Sequence, residues 1–316
     1  MTAQPLAEAP RTPAPTPSLG LRTQNMPTSP SRRLGMLVYG MHQYGPANIV
    51  QAVQQRARAR GYEVIVSTQS ELAVPDIVQS IRQLGQLEIC GLILVIPFHT
   101  AELVQHLDMT FPVVLVNATT DVPATTVSID HQEGSAAATR HLIDLGHRRI
   151  LHIGGPSLWI DAELRHQGYL QALQQCGLEA LPLYRGDWTS AGGFNAAQCA
   201  MQAGELFTAV LAGNDQMALG VLQALRQQGR RVPQEVSVVG FDSTPESAFY
   251  EPALTSVLQD FDLVGKKCLD ELLRHIAQRD LSRTPRHFVL EPILIVRSSS
   301  GRTAPQLFPG EASRSD

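Results

Sequence analysis

Four polar residues stand where apolar runs end: Asn117 after "VVLV", Asp130 after "VSI", Asn214 after "VLAG" and Asp242 after "VSVVGF". An amide or carboxylate at such a point has two uses. It can cap the next helix by accepting its first free N–H groups, or it can hold a ligand just beyond the carboxyl end of a strand. Asp130 suits the cap, because "DHQE" puts Glu133 at the third helical position, the reciprocal partner in a capping box. Asp215 suits the cap of "QMALGVLQAL". Asn214 is then one polar group more than that cap requires, and Asp242 is no better explained, so both stay open between the two roles. The chemistry on offer is recognition rather than catalysis. No nucleophile stands with a base, the ten histidines form no helical pair at metal-ligand spacing, and "IGGP" (153–156) lacks the Lys-Ser/Thr of a phosphate loop. Neither a cofactor nor a metal is expected, and no enzyme.

The elements that must position these residues alternate. "LGMLVY" (34–39) is followed by a helical stripe of Ile49, Val50, Val53 and Ala57 that stops at Gly61. The alternation continues through "EVIVST", helix "VPDIVQSIRQLG", "GLILVIP", helix "TAELVQHL", "PVVLVN" and "TTVSID", then a helix over 133–145. A second series begins at "RILHIGG" (149–155), with helices over 158–176, 191–203 and 215–228 and strands over 182–185, 207–212 and 236–241. Continuous apolar runs suit strands covered on both faces, hence parallel sheets with helices on each side. Two doubly wound α/β lobes in tandem are expected. A last helix (260–278) and the strands "RHFVLE" and "ILIVR" could complete either lobe. Gly146, with His147, Arg148 and Arg149 behind it, reads as a helix stop with cations near the negative end of the dipole.

Composition narrows the class. Apolar residues make up 43% and charged residues 17%, as in a soluble globular protein, and the net charge of −4 gives no electrostatic support for nucleic-acid binding by the chain as a whole. The four cysteines have no paired spacing, which argues against a disulfide scaffold or zinc site and for a reducing compartment. No membrane span or secretory signal is read, so a cytoplasmic protein is expected. Residues 1–33, rich in Pro, Ala, Thr and Ser, read as a disordered arm, and 301–316 as a loose tail.

"HLIDLGHRRILHIGGP" (141–156), "AGNDQMALGVLQALRQQGRRVPQEVSVVGFD" (212–242) and "EPALTSVLQDF" (251–261) resemble the LacI/GalR family of bacterial transcription regulators, with the match running over about residues 34 to 298. The resemblance implies a core like a periplasmic sugar-binding protein: two lobes, three crossovers and an effector held in the cleft. It implies an N-terminal lobe of 34–130 plus 262–285 and a C-terminal lobe of 145–258 plus 290–300. It also implies effector contacts at Arg165, Trp188, Asn214, Asp242 and Gln259, with Glu133 a weaker candidate because the capping box can occupy it. Such a set suits a neutral sugar or sugar-like molecule, whose hydroxyls donate to a carboxylate and accept from a guanidinium while its C–H face lies on an indole.

Members of the family normally begin with a helix-turn-helix, and none can be read here. Leu21 in "GLRTQ", followed by Arg22, stands where the family's hinge helix presents a leucine to the minor groove. The expectation is therefore a regulator, or its effector-sensing remnant, whose DNA-binding head is lost, replaced or left out of this chain. It would bind DNA only if a head is supplied. A homodimer is implied, with the helix over 47–60 as a candidate surface, and a heterodimer with an intact paralogue is a further possibility. The alternative class is a sugar-binding protein of a transport system, which the regulator-type text of 214–233 opposes.

Overall fold

The computed structural model describes residues 31–69, 73–97, 111–117, 122–278 and 284–303. The N-terminal arm up to residue 30, Leu21 and Arg22, the helix read over "TAELVQHL" and the tail after 303 lie outside the described residues.

The first sheet holds β1 (Arg33–Tyr39), β2 (Glu63–Gln69), β3 (Gly91–Val95), β4 (Val113–Val116), β5 (Thr125–Ile129) and β11 (His287–Leu290), in the order β11-β5-β4-β3-β1-β2 and parallel throughout. The second holds β6 (Ile150–Gly154), β7 (Tyr184–Arg185), β8 (Ala209–Ala212), β9 (Ser237–Asp242), β10 (Thr255–Leu258) and β12 (Ile293–Ile295), ordered β12-β10-β9-β8-β6-β7. Its edge strand β12 runs antiparallel to β10, the one departure from parallel pairing among the described strands.

The inner strands of each sheet are buried on both faces, which is why they read as unbroken apolar runs, while the edge strands are partly exposed. In β1, Leu34, Met36 and Val38 face a core built with α1 (Tyr44–Ala59) and α7 (Phe261–Gln278), while Leu37 faces α2 (Val74–Gln86) through Ile77, Ile81 and Leu84. Residues four and three apart on α2 form one stripe, so the helical period and the strand period meet in one core. The second sheet repeats the plan. The helices α5 (Ser190–Gln202) and α6 (Asp215–Gln227) cover one face. The other is covered by α3 (His131–Asp144) and α4 (Ile160–Gln175). The α3/α4 crossing is tight: a Cβ on Gly168 would collide with the backbone carbonyl of Gln132.

Three connections pass between the sheets: β5 into α3, β10 into α7, and β11 into β12. Thus α7 packs with α1 on the first sheet, held at its edge by Arg56 on both carboxylate oxygens of Asp262 and by Arg60 on Asp270 at 2.5 Å. Among the described residues no helix is long and apolar enough to cross a membrane.

Three local readings of the sequence are corrected by packing. The cap of α6 is Asn214, whose side chain accepts from Met217 N, and Asp215 is instead fully buried, accepting from Thr244 N at 2.7 Å and Ser256 Oγ at 2.5 Å. His147 is no exposed cation. It is buried, bonded to Thr208, Ser237 and the carbonyl of Gly301, and burial pushes its pKa down. Through those bonds, and Thr303 N on Leu145 O, residues 301–303 are tied to the second lobe rather than forming part of a loose tail.

Candidate functional site

Strand ends of both sheets face each other across a cleft that is partly open to solvent, with about 590 Å³ of space between its walls, the open mouth included. From the first lobe it is lined by Tyr39 at the end of β1, Tyr44 at the start of α1, Asn117 after β4 and Phe261 at the start of α7. From the second come Trp159, Asp161 and Arg165 of the α4 segment, then Trp188, Asn214, Asp242 and Gln259. The structure therefore brings together five of the six site residues expected from the sequence. Glu133 is the exception. It sits on the outer face of α3 with a half-exposed carboxylate held by Arg140, while Asp130 caps the helix through Glu133 N. Half of the capping box forms, because the Asp130 N–H is already given to Leu290 O of β11.

Arg165 is the centre of the site. It is 5% exposed, gives Nη1 to the carbonyl of Gly213, directs Nε to His131 Nδ1 at 3.4 Å, and holds Nη2 3.7 Å from Asp242 Oδ1. Its guanidinium lies 3.9 Å from the Phe241 ring centroid and 5.3 Å from that of Trp188, a stacking that fixes the fork before any ligand arrives. Asp242 accepts from Gln259 Nε2. Burial lifts its carboxyl to about 7, with Arg165 opposing the rise and Asp215 adding to it. Burial likewise lifts Asp161 and Asp215 to about 6, against Arg165 and Asn117 in the first case and against bonds from Ser256 and Thr244 in the second. His131 is driven the other way, well below its ordinary value, by burial and then by the adjacent Arg165. The cluster thus holds three carboxylates, one guanidinium and a neutral imidazole.

Backbone geometry marks the same place. Among the described residues five non-glycine residues have positive φ, and three of them line the cleft: Asn117 at 55°, Trp188 at 70° and Asp242 at 106°. Such conformations cost roughly 1–3 kcal/mol each and concentrate at ligand clamps. Polar atoms left without partners gather there too. Of nine such buried atoms among the described residues, Asn117 Oδ1, Asp161 Oδ1, Trp188 Nε1 and Gln259 Oε1 belong to the lining, where a bound polar molecule would satisfy them.

The lobes also touch directly. Asn117 Nδ2 donates to Asp161 Oδ2 at 3.0 Å and Ile160 N to Pro97 O at 2.6 Å, while the Trp159 ring packs on Tyr39 of the first lobe and Trp188 of the second, at 5.8 and 5.6 Å. Asn214 has two duties: its oxygen caps α6 and its Nδ2 donates to the main-chain carbonyl of Trp188 at 3.1 Å, holding the backbone from which the indole projects. Cap and lining residue are thus one residue, not alternatives.

Sequence reasoning missed Asp161, Trp159 and the lobe-one tyrosines. Asp161 was within reach, since it stands one helical turn before Arg165 and so on the same face of α4. Tyr39 and Tyr44 had no local signal, because only the sheet order brings the ends of β1 and α1 opposite α4.

Comparison with known proteins agrees with this architecture. Residues 139–300 match the periplasmic binding protein-like domain. The lactose operon repressor of Escherichia coli (strain K12) is 30% identical over 253 residues, covering 79% of this chain and 70% of the repressor. The ribose operon repressor of the same organism is 32% identical over 273 residues, covering 84% and 82%. A dimeric lac repressor structure with a C-terminal deletion superposes with a TM-score of 0.81 at 28% identity, over 85% of this chain and 99% of that one. The transcriptional regulator CelR in complex with cellobiose gives 0.75 at 30% identity, over 86% of each chain. These relatives are regulators rather than enzymes, and with so much of both sequence and fold in common the chain belongs to the LacI family of transcriptional regulators, as its effector-binding core.

Proposed function

We propose that this core senses a small polyhydroxylated, sugar-like effector in the cleft between its lobes. One observation carries the reading: Arg165, Asp242, Gln259 and Trp188 of one lobe converge with Asn117 and two tyrosines of the other on a single cleft. Vicinal hydroxyls accept from the guanidinium and donate to the carboxylate, and the Trp188 face covers the ring's C–H groups. The relatives support this class, since one is the ribose operon repressor and another is in complex with cellobiose.

Because the lining comes from both lobes, a ligand there binds one relative lobe orientation better than another. Its differential affinity shifts the population between them. In a dimer that shift would change the spacing of DNA-binding heads supplied to the core. A homodimer is the proposed assembly, in line with the dimeric lac repressor neighbour; pairing with an intact paralogue is a further proposal, tested by mixed-dimer pull-down. The open face of α1 carries Gln51, Gln54, Gln55 and Arg58, so any contact there is polar. Sedimentation should give the mass of two chains, and a single-chain mass would remove the dimer. The proposed compartment is the cytoplasm.

The direct test is thermal shift against a panel of pentoses, hexoses and disaccharides, since a ligand of the folded state raises the melting temperature. At least one sugar should raise it, and Asp242→Asn should remove that response. A panel without any response overturns the sugar reading. A response that survives the substitution moves the site elsewhere.

A further inference from the structure

We propose that the effector carries a protonated amine beside its hydroxyls and that Asp161 selects it, a refinement that rests on the sugar-type reading of the cleft. Asp161 is 8% exposed and lies on the first turn of α4 in the cleft lining. Its Oδ2 takes the Asn117 bond at 3.0 Å, and its Oδ1 is buried without a hydrogen-bond partner. The surrounding groups do not satisfy that oxygen. Arg165, one turn along the helix, is directed to Gly213 O, His131 and Asp242. The His131 ring accepts from Arg165 at Nδ1, so its proton sits on Nε2, 3.4 Å from Asp161 Oδ1 and too poorly placed to bond. On the same lobe, Asp242 is a second carboxylate of the lining, bonded to Gln259.

The lining therefore carries two carboxylates and one guanidinium, and that guanidinium faces Asp242. A ligand hydroxyl would fill the free lone pair of Asp161 but leave its charge buried. An ammonium supplies the missing donor and the missing charge together. The rings around the same space favour a cation as well: Tyr39, Tyr44, Trp159 and Trp188 present aromatic surface in the lining. The residue types legible in the sequence suit a neutral sugar, and it is the placement of Asp161 that changes the class to an amino sugar or amino polyol.

The test uses matched pairs: pentoses and hexoses, their 2-, 3- and 6-amino-deoxy counterparts, and the N-acetyl forms that keep the nitrogen but lose the charge. Affinities are measured by calorimetry on the full chain. At least one amino sugar should bind roughly 10- to 100-fold tighter than its parent, the worth of one charge-assisted hydrogen bond, and its N-acetyl form should lose that gain. In Asp161→Asn, which keeps shape and removes charge, the amine-to-parent ratio should fall to near one. The ratio is the readout, so a general loss of affinity does not mimic it. The preference in the unmutated protein should grow as pH rises through about 6, where Asp161 ionises, while the amine stays charged; Arg165, Asp242, Tyr39 and Tyr44 are the other titratable groups of the lining, with His131 beside Asp161. Parent sugars that bind as tightly as their amines overturn the inference and leave the sugar reading standing. So does a preference that persists in Asp161→Asn. No binding by any member of the panel overturns both.

Discussion

Replacing Asp242 by asparagine should stabilise the ligand-free protein by an amount that grows from nothing near pH 4 to its full size above about pH 7. Asp242 is 6% exposed, and burial, reinforced by Asp215, lifts its carboxyl from 3.8 to about 7 even with Arg165 opposing. Ionising a carboxyl so displaced costs about 4 kcal/mol relative to the unfolded chain. The native state holds the proton more tightly than the unfolded state does. The stabilisation from this group is therefore complete below the unfolded value of 3.8 and is lost as pH rises through about 7. Asparagine keeps the shape, can still accept from Gln259, tolerates the φ of 106° as aspartate does, and carries no charge at any pH. The variant should match the unmutated protein near pH 4 and exceed it by roughly 2–4 kcal/mol at pH 8, the lower figure allowing for the partner that Arg165 loses. Urea unfolding at about pH 4.5, 6, 7 and 8.5, with midpoints and slopes both recorded, reads this directly. A variant less stable at pH 8, or a gain equal at every pH, would refute the reasoning. A stable protein that no longer responds to ligand would show why the carboxylate is kept: the site holds a destabilising charge that only the effector compensates.

Other substitutions separate scaffold from site. Gly168→Ala forces a methyl into the Gln132 carbonyl at the α3/α4 crossing and should cost about 2–3 kcal/mol, seen as a lower urea midpoint at unchanged slope. Tyr169→Phe removes the buried hydroxyl bond to Ile150 O at 2.8 Å and should cost about 1 kcal/mol while leaving the ligand response intact; a lost response would tie the α4 core to the cleft. Asn117→Ala deletes a donor that holds Asp161 down, so that carboxyl should titrate above about 6, measured by carboxyl-carbon NMR. An unchanged or lower value would mean that the cross-lobe bond is absent in solution.

What the sequence determined by itself was everything carried by a local period or a local rule. Apolar runs such as "GLILV" are buried on both faces because they lie in parallel sheets, and the Asp130 cap of α3 follows from a side chain three residues from the N–H it accepts. Polar residues at strand ends were legible for the same reason, since a strand's carboxyl end and a helix's first turn are adjacent in the chain. Tertiary structure alone decided which of them share a space. Asn214 and Asp215 are neighbours, yet one caps α6 at the cleft and the other is buried against Thr244 and Ser256, a choice made by the position of β10. Glu133 was drawn away by Arg140, and the edge strand β11 took the Asp130 N–H. Tyr39, Tyr44 and Asn117 meet Trp159 and Asp161 only because the chain crosses three times between sheets, closing contacts between residues tens of positions apart. The raised pKa values of the buried acids belong to that level as well, for desolvation, and for Asp161 and Asp242 the shared guanidinium of Arg165, exist only once the chain has packed.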